Sequence, residues 1–572
     1  MLDALRYFSA LVRGGLAPLV RQALGQTTLA DVVARSARKR PNALALEVGD
    51  EAFSCAQLAQ LANAAAGQLS TWGAKTGDVV ALVGKNSVAY VGLLLGAAQR
   101  GVTLALVHPE LGAEPLRHAL RAAKATRVLC ERQLLKAVAA ASNLPAHAFD
   151  PEQREPFLPD AAASREFAPA RGAHDLALVY TSGTTGLPQA CRLPHARVLA
   201  AACLFGAPLY DFRPADKLLC ALPLHHGSPL MLGLGACLVT GTPLRLERRF
   251  SASALIDAAR RSRATVLLYV GDLGRMLLAT PKAERDRDHA LRLAVGNGLS
   301  AEVWTRLQER FGIGQVREFY AATESPMGLF NLSGRVGSVG NLPYAWMFGM
   351  KLVRIDPETG ELLRDRAGKL AECGVDEPGE LLVRARQRGL GVYHGYVDSQ
   401  ATESRLVRSG SRNKGVLFRT GDVLRRDRDG FYYFVERRGD SYRFRGENVA
   451  VAQVEHELER LDGVRSAVVT GVQVPGYDGR VGLAALEWEP GFQVSSLTTL
   501  SGRLPRSALP RFVRRLEELP RTSSLKVRRR ALAAEGVDPE RAPAQLWVLQ
   551  GDTYIPLDSA AYRDILAGNL RL

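Results

Sequence analysis

Apolar positions along the chain alternate between two textures. Val79–Val83, Leu104–Val107 and Arg127–Cys130 are short aliphatic runs that predict buried strands. Val88–Gln99 and Leu116–Ala123, between them, carry helical spacing. The rhythm resumes with strands at Leu176–Thr181, Lys217–Leu222, Pro243–Leu246, Thr265–Val270, Leu291–Val295 and Val316–Tyr320. Helices are expected at His195–Ala202, Leu230–Leu238 and Ala252–Arg261. Strand–helix alternation of this kind predicts doubly wound, mostly parallel sheets with helices on both faces.

From about Val339 to Phe434 the texture changes to short strands separated by Gly, Pro and Asp, as in a small β-rich unit. A polar stretch, Arg438-Gly439-Asp440, then interrupts the pattern. Beyond it Val451, Val454, Leu458 and Leu461 recur at helical spacing, and Ala467–Val472 and Val481–Trp488 read as strands. The expected division is an N-terminal segment (1–27), an α/β body (28–437) and a smaller, mobile α+β domain (438–572).

The longest apolar stretch, Tyr90 to Val107, contains Gln99 and Arg100, so it falls short of the roughly 18 uncharged residues of a spanning helix. Residues 1–24 set Leu2, Leu5, Phe8, Leu11, Val12 and Leu16 around Arg6, Arg13 and Arg21, without a small-residue cleavage site. That is an amphipathic basic helix, which either packs on the body or lies on an anionic membrane surface. The expected location is cytoplasmic, with peripheral contact to the cytoplasmic face of the inner or plasma membrane left open.

Composition adds two constraints. The seven cysteines are widely spaced with no CxxC pair, which excludes a disulfide framework and a cysteine-based zinc site. The formal net charge is +16, carried by 74 basic residues of which only 11 are lysine. Such a balance suits nucleic acid, membrane surface or small anions. The arginines are spread along the chain with no zinc-finger or aromatic RNA-binding pattern, so nucleic acid is not the expected partner.

The most specific local feature is Thr181-Ser182-Gly183-Thr184-Thr185-Gly186-Leu187-Pro188, directly after an apolar strand. Its glycines allow close backbone approach to an anion, and its four hydroxyls can donate to phosphate oxygens. Neither a Gly-Lys-Ser/Thr nor a G-x-G-x-x-G spacing is present. The segment resembles the phosphate loop of the adenylate-forming superfamily of acyl-CoA synthetases, luciferases and peptide-synthetase adenylation domains. Five more segments resemble that family's motifs in order: Gly296-Asn297-Gly298, Phe319–Glu324, Phe418–Asp422, Glu436–Asp440 and Leu519–Lys526.

The resemblance implies ATP, Mg²⁺ and CoA as cofactors and co-substrate, and assigns roles by position. Thr181, Ser182, Gly183, Thr184, Thr185 and Gly186 would cradle phosphates, and Gly296, Asn297, Gly298 and Tyr320 would line the adenine. Thr323 would meet phosphate, Glu324 would hold Mg²⁺, and Asp422 would bind the ribose. Arg437 would contact the nucleotide, Gly439 and Asp440 would form the hinge, and Lys526 would be the catalytic cation. Arg443, with Arg445, would meet CoA phosphates after domain rotation.

Several further segments resemble the fatty acid transport protein and very-long-chain acyl-CoA synthetase branch. They include Leu222–His226, Thr265–Leu273, Tyr442–Val449 and Tyr554–Leu557. That branch implies an acyl tunnel near His225, Tyr269, Val270 and Gly271, and activation of long or very-long-chain fatty acids through an acyl-adenylate to acyl-CoA, AMP and pyrophosphate. Ligation of another bulky apolar acid, transfer to a carrier-protein thiol, and fatty-acid uptake with weak catalysis remain alternatives. Three positions depart from the family pattern: Gln189 for the usual lysine, Ala321 for glycine, and Leu525 before the catalytic lysine.

Overall fold

The computed structural model describes residues 27–151, 172–182, 188–341, 349–356, 360–389, 391–409, 415–437, 442–444, 447–449, 451–475, 477, 480–504, 506–521, 527–542, 545–570 and 572. The basic segment 1–26 therefore lies outside the described residues. Two large sheets build the body. One runs Leu329–Asn331, Gln315–Tyr320, Leu293–Asn297, Val266–Val270, Leu218–Cys220, Leu244–Leu246, Leu44–Val48 and Glu51–Ser54. Its inner strands are parallel, and only the two edge pairings are antiparallel.

The second runs Ala146–Phe149, Arg127–Glu131, Val79–Val83, Thr103–Val107, Asp175–Ser182 and Pro188–Pro194, parallel except at the last pair. Between them pack helices Cys55–Thr71 and Val88–Arg100. The first starts at Ser54, whose hydroxyl accepts from the Gln57 amide while the Gln57 side chain accepts from the Ser54 amide. The second is buried on almost every side. Leu93, Leu94 and Leu95 are each fully enclosed, contributing about 1.5–3 kcal/mol apiece.

The β-rich unit is an antiparallel sheet of Lys351–Val353, Gly379–Arg384, Val416–Arg426, Leu406–Arg408 and Tyr432–Arg437. A separate core begins at Tyr442 and continues to Leu572. It holds the helix Val451–Glu459 against a sheet of Val464–Val472, Val481–Trp488, Phe512–Arg515, Leu546–Gln550 and Thr553–Pro556. The architecture is thus α/β, with a large body of mixed sheets and a smaller β-rich C-terminal unit. All seven cysteines are free, six of them buried. No helix among the described residues is long and apolar enough to cross a membrane.

Two expected helices form differently from their periodicity. His195–Ala201 passes into a π-helical turn at Ala202–Gly206, and Pro229–Gly235 is π-helical before Ala236–Thr240. A π turn inserts a residue without disturbing the apolar character of a buried helix, so apolar spacing does not reveal it. The two turns pack against each other beside the cleft described next.

Candidate active site

Strands Val266–Val270, Leu293–Asn297 and Gln315–Tyr320 are parallel neighbours whose carboxyl ends open at one edge. Crevices at such edges are where open α/β sheets bind ligands. Here a cleft of about 2690 Å³ lies between that edge, the helix His195–Ala201 and the C-terminal unit, which contributes Val527 and Arg528. Thr181, His225, Val270, Asn297, Gly298, Tyr320, Thr323, Glu324, Asp422 and Arg437 all line it, so residues far apart in the chain share one cleft. Outside the described residues are Gly183, Thr184, Thr185, Gly186, Gly439, Asp440 and Lys526. The side chains of Ser182 and Arg443 are likewise not described.

Asp422 is the most heavily used group. Its carboxylate accepts from Arg437 Nε (2.6 Å) and Nη2 (3.0 Å) and from the Tyr320 hydroxyl (2.6 Å). Asp422 is fully buried in the strand Val416–Arg426, and that strand pairs Asp422 with Arg437 directly. Burial first, then the Asp422 carboxylate, hold the Tyr320 phenol well above its ordinary pKa, so it remains a donor.

The turn after Tyr320 carries Thr323 and Glu324. Gly227 presses on it so closely that a Cβ there would stand 2.6 Å from Thr323 Oγ1. Arg197, on the helix His195–Ala201, donates from Nη2 to the carbonyls of Thr323 (2.7 Å) and Ser325 (2.5 Å). Thr181 Oγ1 is buried on the same cleft without a hydrogen-bond partner among the described residues. No group of three His, Cys, Asp or Glu forms a protein metal cage among the described residues. One carboxylate, Glu324, on the same cleft as Thr181 and Thr323, instead fits Mg²⁺, which binds one or two carboxylates plus substrate phosphates.

The wall near the expected acyl tunnel is arranged differently from its sequence neighbours. Val270 reaches the cleft, but the Tyr269 hydroxyl turns to the buried Glu318 at 3.1 Å. Gly271 lies under the Gly298 carbonyl, where a Cβ would collide with it. Glu318 also accepts from the Leu299 amide at 2.7 Å. Burial raises its pKa to about 8 against those hydrogen bonds. His225 is 5% exposed, tilted against His108 and His226 with centroids 5.1 and 4.4 Å away. Burial and the adjacent imidazoles keep it neutral, and its Nε2 has no partner among the described residues.

The residues Glu318 and Arg197 were not singled out from the sequence. A carboxylate inside a buried strand was the available signal for Glu318, and an arginine opening an otherwise apolar helix was the signal for Arg197. A further contact joins body and C-terminal unit: Arg275 Nε lies 2.9 Å from Glu459 Oε1, both largely buried.

A family model described as AMP-binding enzyme matches residues 33–397, and the chain belongs to that family of adenylate-forming enzymes. Among curated relatives, long-chain fatty acid transport protein 1 of Mus musculus is 35% identical over 564 residues, covering 94% of this chain and 87% of its own. Medium/long-chain-fatty-acid–CoA ligase FadD6 of Mycobacterium tuberculosis is 34% identical over 561 residues, covering 96% and 92%. Among solved structures, ATP-bound MatB from Rhodopseudomonas palustris superposes with TM-score 0.74 at 25% identity, covering 89% of this chain and 99% of that one. The o-succinylbenzoate CoA synthetase of Bacillus subtilis in complex with AMP, at 23% identity and TM-score 0.72, shares the fold over 89% and 98%.

Proposed function

We propose that this chain is an AMP-forming acyl-CoA synthetase that activates long-chain fatty acids with ATP and passes the acyl group to CoA. The observation that carries this reading is the meeting of Tyr320, Asp422, Arg437, Thr323 and Glu324 in one cleft with an apolar flank of Leu204, Phe205, Met231 and Leu232. A nucleotide placed with its ribose at Asp422 and its adenine against Tyr320 directs its phosphates toward Thr181 and Thr323. The apolar flank then faces the α-phosphate end, where an acid must sit. The fatty acid transport protein and FadD6 relatives support an aliphatic acid there.

In the first step a carboxylate oxygen forms a bond to the α-phosphorus and the bond to the β-phosphate oxygen breaks, releasing pyrophosphate. Hydroxyl donors at Thr181 and Thr323 and a cation at Lys526 would stabilise the charge that builds on the phosphate oxygens. Mg²⁺, when bound at Glu324, would supply charge neutralisation there. In the second step the CoA sulfur bonds to the acyl carbon, the carbon–oxygen bond to AMP breaks, and the thiol proton leaves to solvent. Arg443 would meet CoA phosphates, with Gly439 and Asp440 as the pivot for the unit 438–572. Residues 1–24 would supply peripheral contact with anionic lipid, testable by vesicle flotation with and without them.

Pyrophosphate release measured with a panel of acids, with and without CoA, tests the reading. Release with long-chain fatty acids and CoA-dependent turnover are expected. A bulky cyclic acid preferred over every fatty acid would redirect the substrate, and no release with any acid would exclude an adenylating enzyme. The neutral Gln189 in the phosphate-loop segment favours, as a second reading, a fatty-acid uptake protein with weak catalysis.

A further inference from the structure

Arg197 is a guanidinium on the cleft with no carboxylate paired to it among the described residues. Its Nη2 is occupied by the carbonyls of Thr323 and Ser325, while Nε and Nη1 have no acceptor among the described residues. An incompletely compensated cation in a low-dielectric cleft carries a desolvation cost that an incoming anion offsets. The carboxylate whose charge acts on it is Glu324, while burial pushes the neighbouring Cys191 thiol up and keeps it neutral. Cys191 lies opposite Val179 on the strand Pro188–Pro194, and on the same strand Gln189 lies opposite Thr181. Arg197 is thus a positive group on the cleft, held at the Thr323 turn, whereas Gln189 opposite Thr181 is neutral.

We infer that Arg197 is the positioning residue of the adenylation half-reaction, acting through Thr323 and Glu324; this rests on the proposed function. One nitrogen bridges both carbonyls of the turn and fixes the direction in which Thr323 Oγ1 and the Glu324 carboxylate face the triphosphate. The remaining N–H groups and the charge favour the polyanion over an empty cleft. Misplacement of such a turn by about 1 Å costs on the order of a hundredfold in rate. The thioester half-reaction makes no demand on the triphosphate and does not depend on this arrangement.

The test separates the two half-reactions in Arg197→Gln and Arg197→Lys. Pyrophosphate release from ATP and a fatty acid is measured against conversion of supplied acyl-adenylate and CoA to acyl-CoA. Arg197→Gln is expected to lower the kcat of pyrophosphate release by about a hundredfold while conversion of acyl-adenylate falls less than threefold. Arg197→Lys, whose ammonium can still donate to both carbonyls, is expected to recover most of that loss. Equal loss in both half-reactions for both variants, or no loss in either, overturns the inference. If the wild-type protein releases no pyrophosphate with any acid, the functional reading fails separately. The dissociation constant of ATP measured without Mg²⁺ then decides: about tenfold weakening in Arg197→Gln supports the role of Arg197, and an unchanged value overturns it.

Discussion

Arg437 and Asp422 form a two-point ion pair, with Nε 2.6 Å from Oδ1 and Nη2 3.0 Å from Oδ2, and the Tyr320 hydroxyl adds a third bond to the same carboxylate. The pair is asymmetric: the Asp422 side chain is 1% exposed and that of Arg437 is 47% exposed. Removing the arginine leaves a buried carboxylate with one hydroxyl, whereas removing the carboxylate leaves a guanidinium able to reach water. Arg437→Met should therefore destabilise the fold by about 3 kcal/mol, and more than Asp422→Asn does. Denaturant midpoints of the two variants check the order, and the reverse order contradicts it. Both variants should weaken AMP binding.

Glu318 ties the strand Val266–Val270 to the turn after Asn297, accepting from Tyr269 on one side and Leu299 on the other. Its carboxyl is raised from 4.5 to about 8 by burial. Between those values the unfolded chain has lost the proton and the folded chain keeps it, so protonation favours the fold. That contribution is complete below pH 4.5 and is lost as pH rises through about 8. Glu318→Gln removes the dependence. The stability of the wild type relative to Glu318→Gln should fall from pH 5 to pH 8; a rise over the same interval in paired urea titrations contradicts the assignment.

Gly227 has no room for a side chain. A Cβ would stand 2.6 Å from Thr323 Oγ1 and 3.3 Å from the Met231 Cε. Gly227→Ala should displace Thr323 and lower pyrophosphate release by about a hundredfold. Thermal unfolding should move far less, because Met231 is an unbranched side chain that adapts. A large loss of stability with unchanged specific activity would show that the contact serves only packing.

The Arg275–Glu459 pair joins body and C-terminal unit in the orientation that brings Val527 and Arg528 to the cleft. Burial raises the Glu459 pKa and Arg275 opposes the shift. Glu459→Gln weakens this orientation, so adenylation should slow by roughly three- to tenfold. Conversion of supplied acyl-adenylate should not slow. Slowing of that second step by the same factor, in separately measured half-reactions, contradicts the role of the pair.

The alternation of Val79–Val83, Val88–Arg100 and Thr103–Val107 was legible because strands buried on both faces read as continuous apolar runs. Tyr320, Asp422 and Arg437 were legible because motifs keep their order along the chain, although their meeting depends on the pairing of Val416–Arg426 with Tyr432–Arg437. The π turns at Ala202–Gly206 and Pro229–Gly235 were not, because an extra residue per turn leaves a buried helix equally apolar. Tyr269 was expected at the tunnel wall, and its hydroxyl bonds Glu318 instead. Period-two alternation identifies two faces of a strand without telling which buried face borders a cavity. Arg197 stayed hidden because its partners are backbone carbonyls more than a hundred residues away, which no side-chain pattern reports.

Adenylation of a long-chain fatty acid in this cleft is the function proposed for the chain. Pyrophosphate release from ATP, Mg²⁺ and a long-chain fatty acid, followed with and without CoA in the wild type and in Lys526→Ala, tests it most directly. The expected result is release that depends on the acid, repeated turnover only with CoA, and loss of the first step in Lys526→Ala. Release no greater than in an acid-free control, for every chain length supplied, would contradict it.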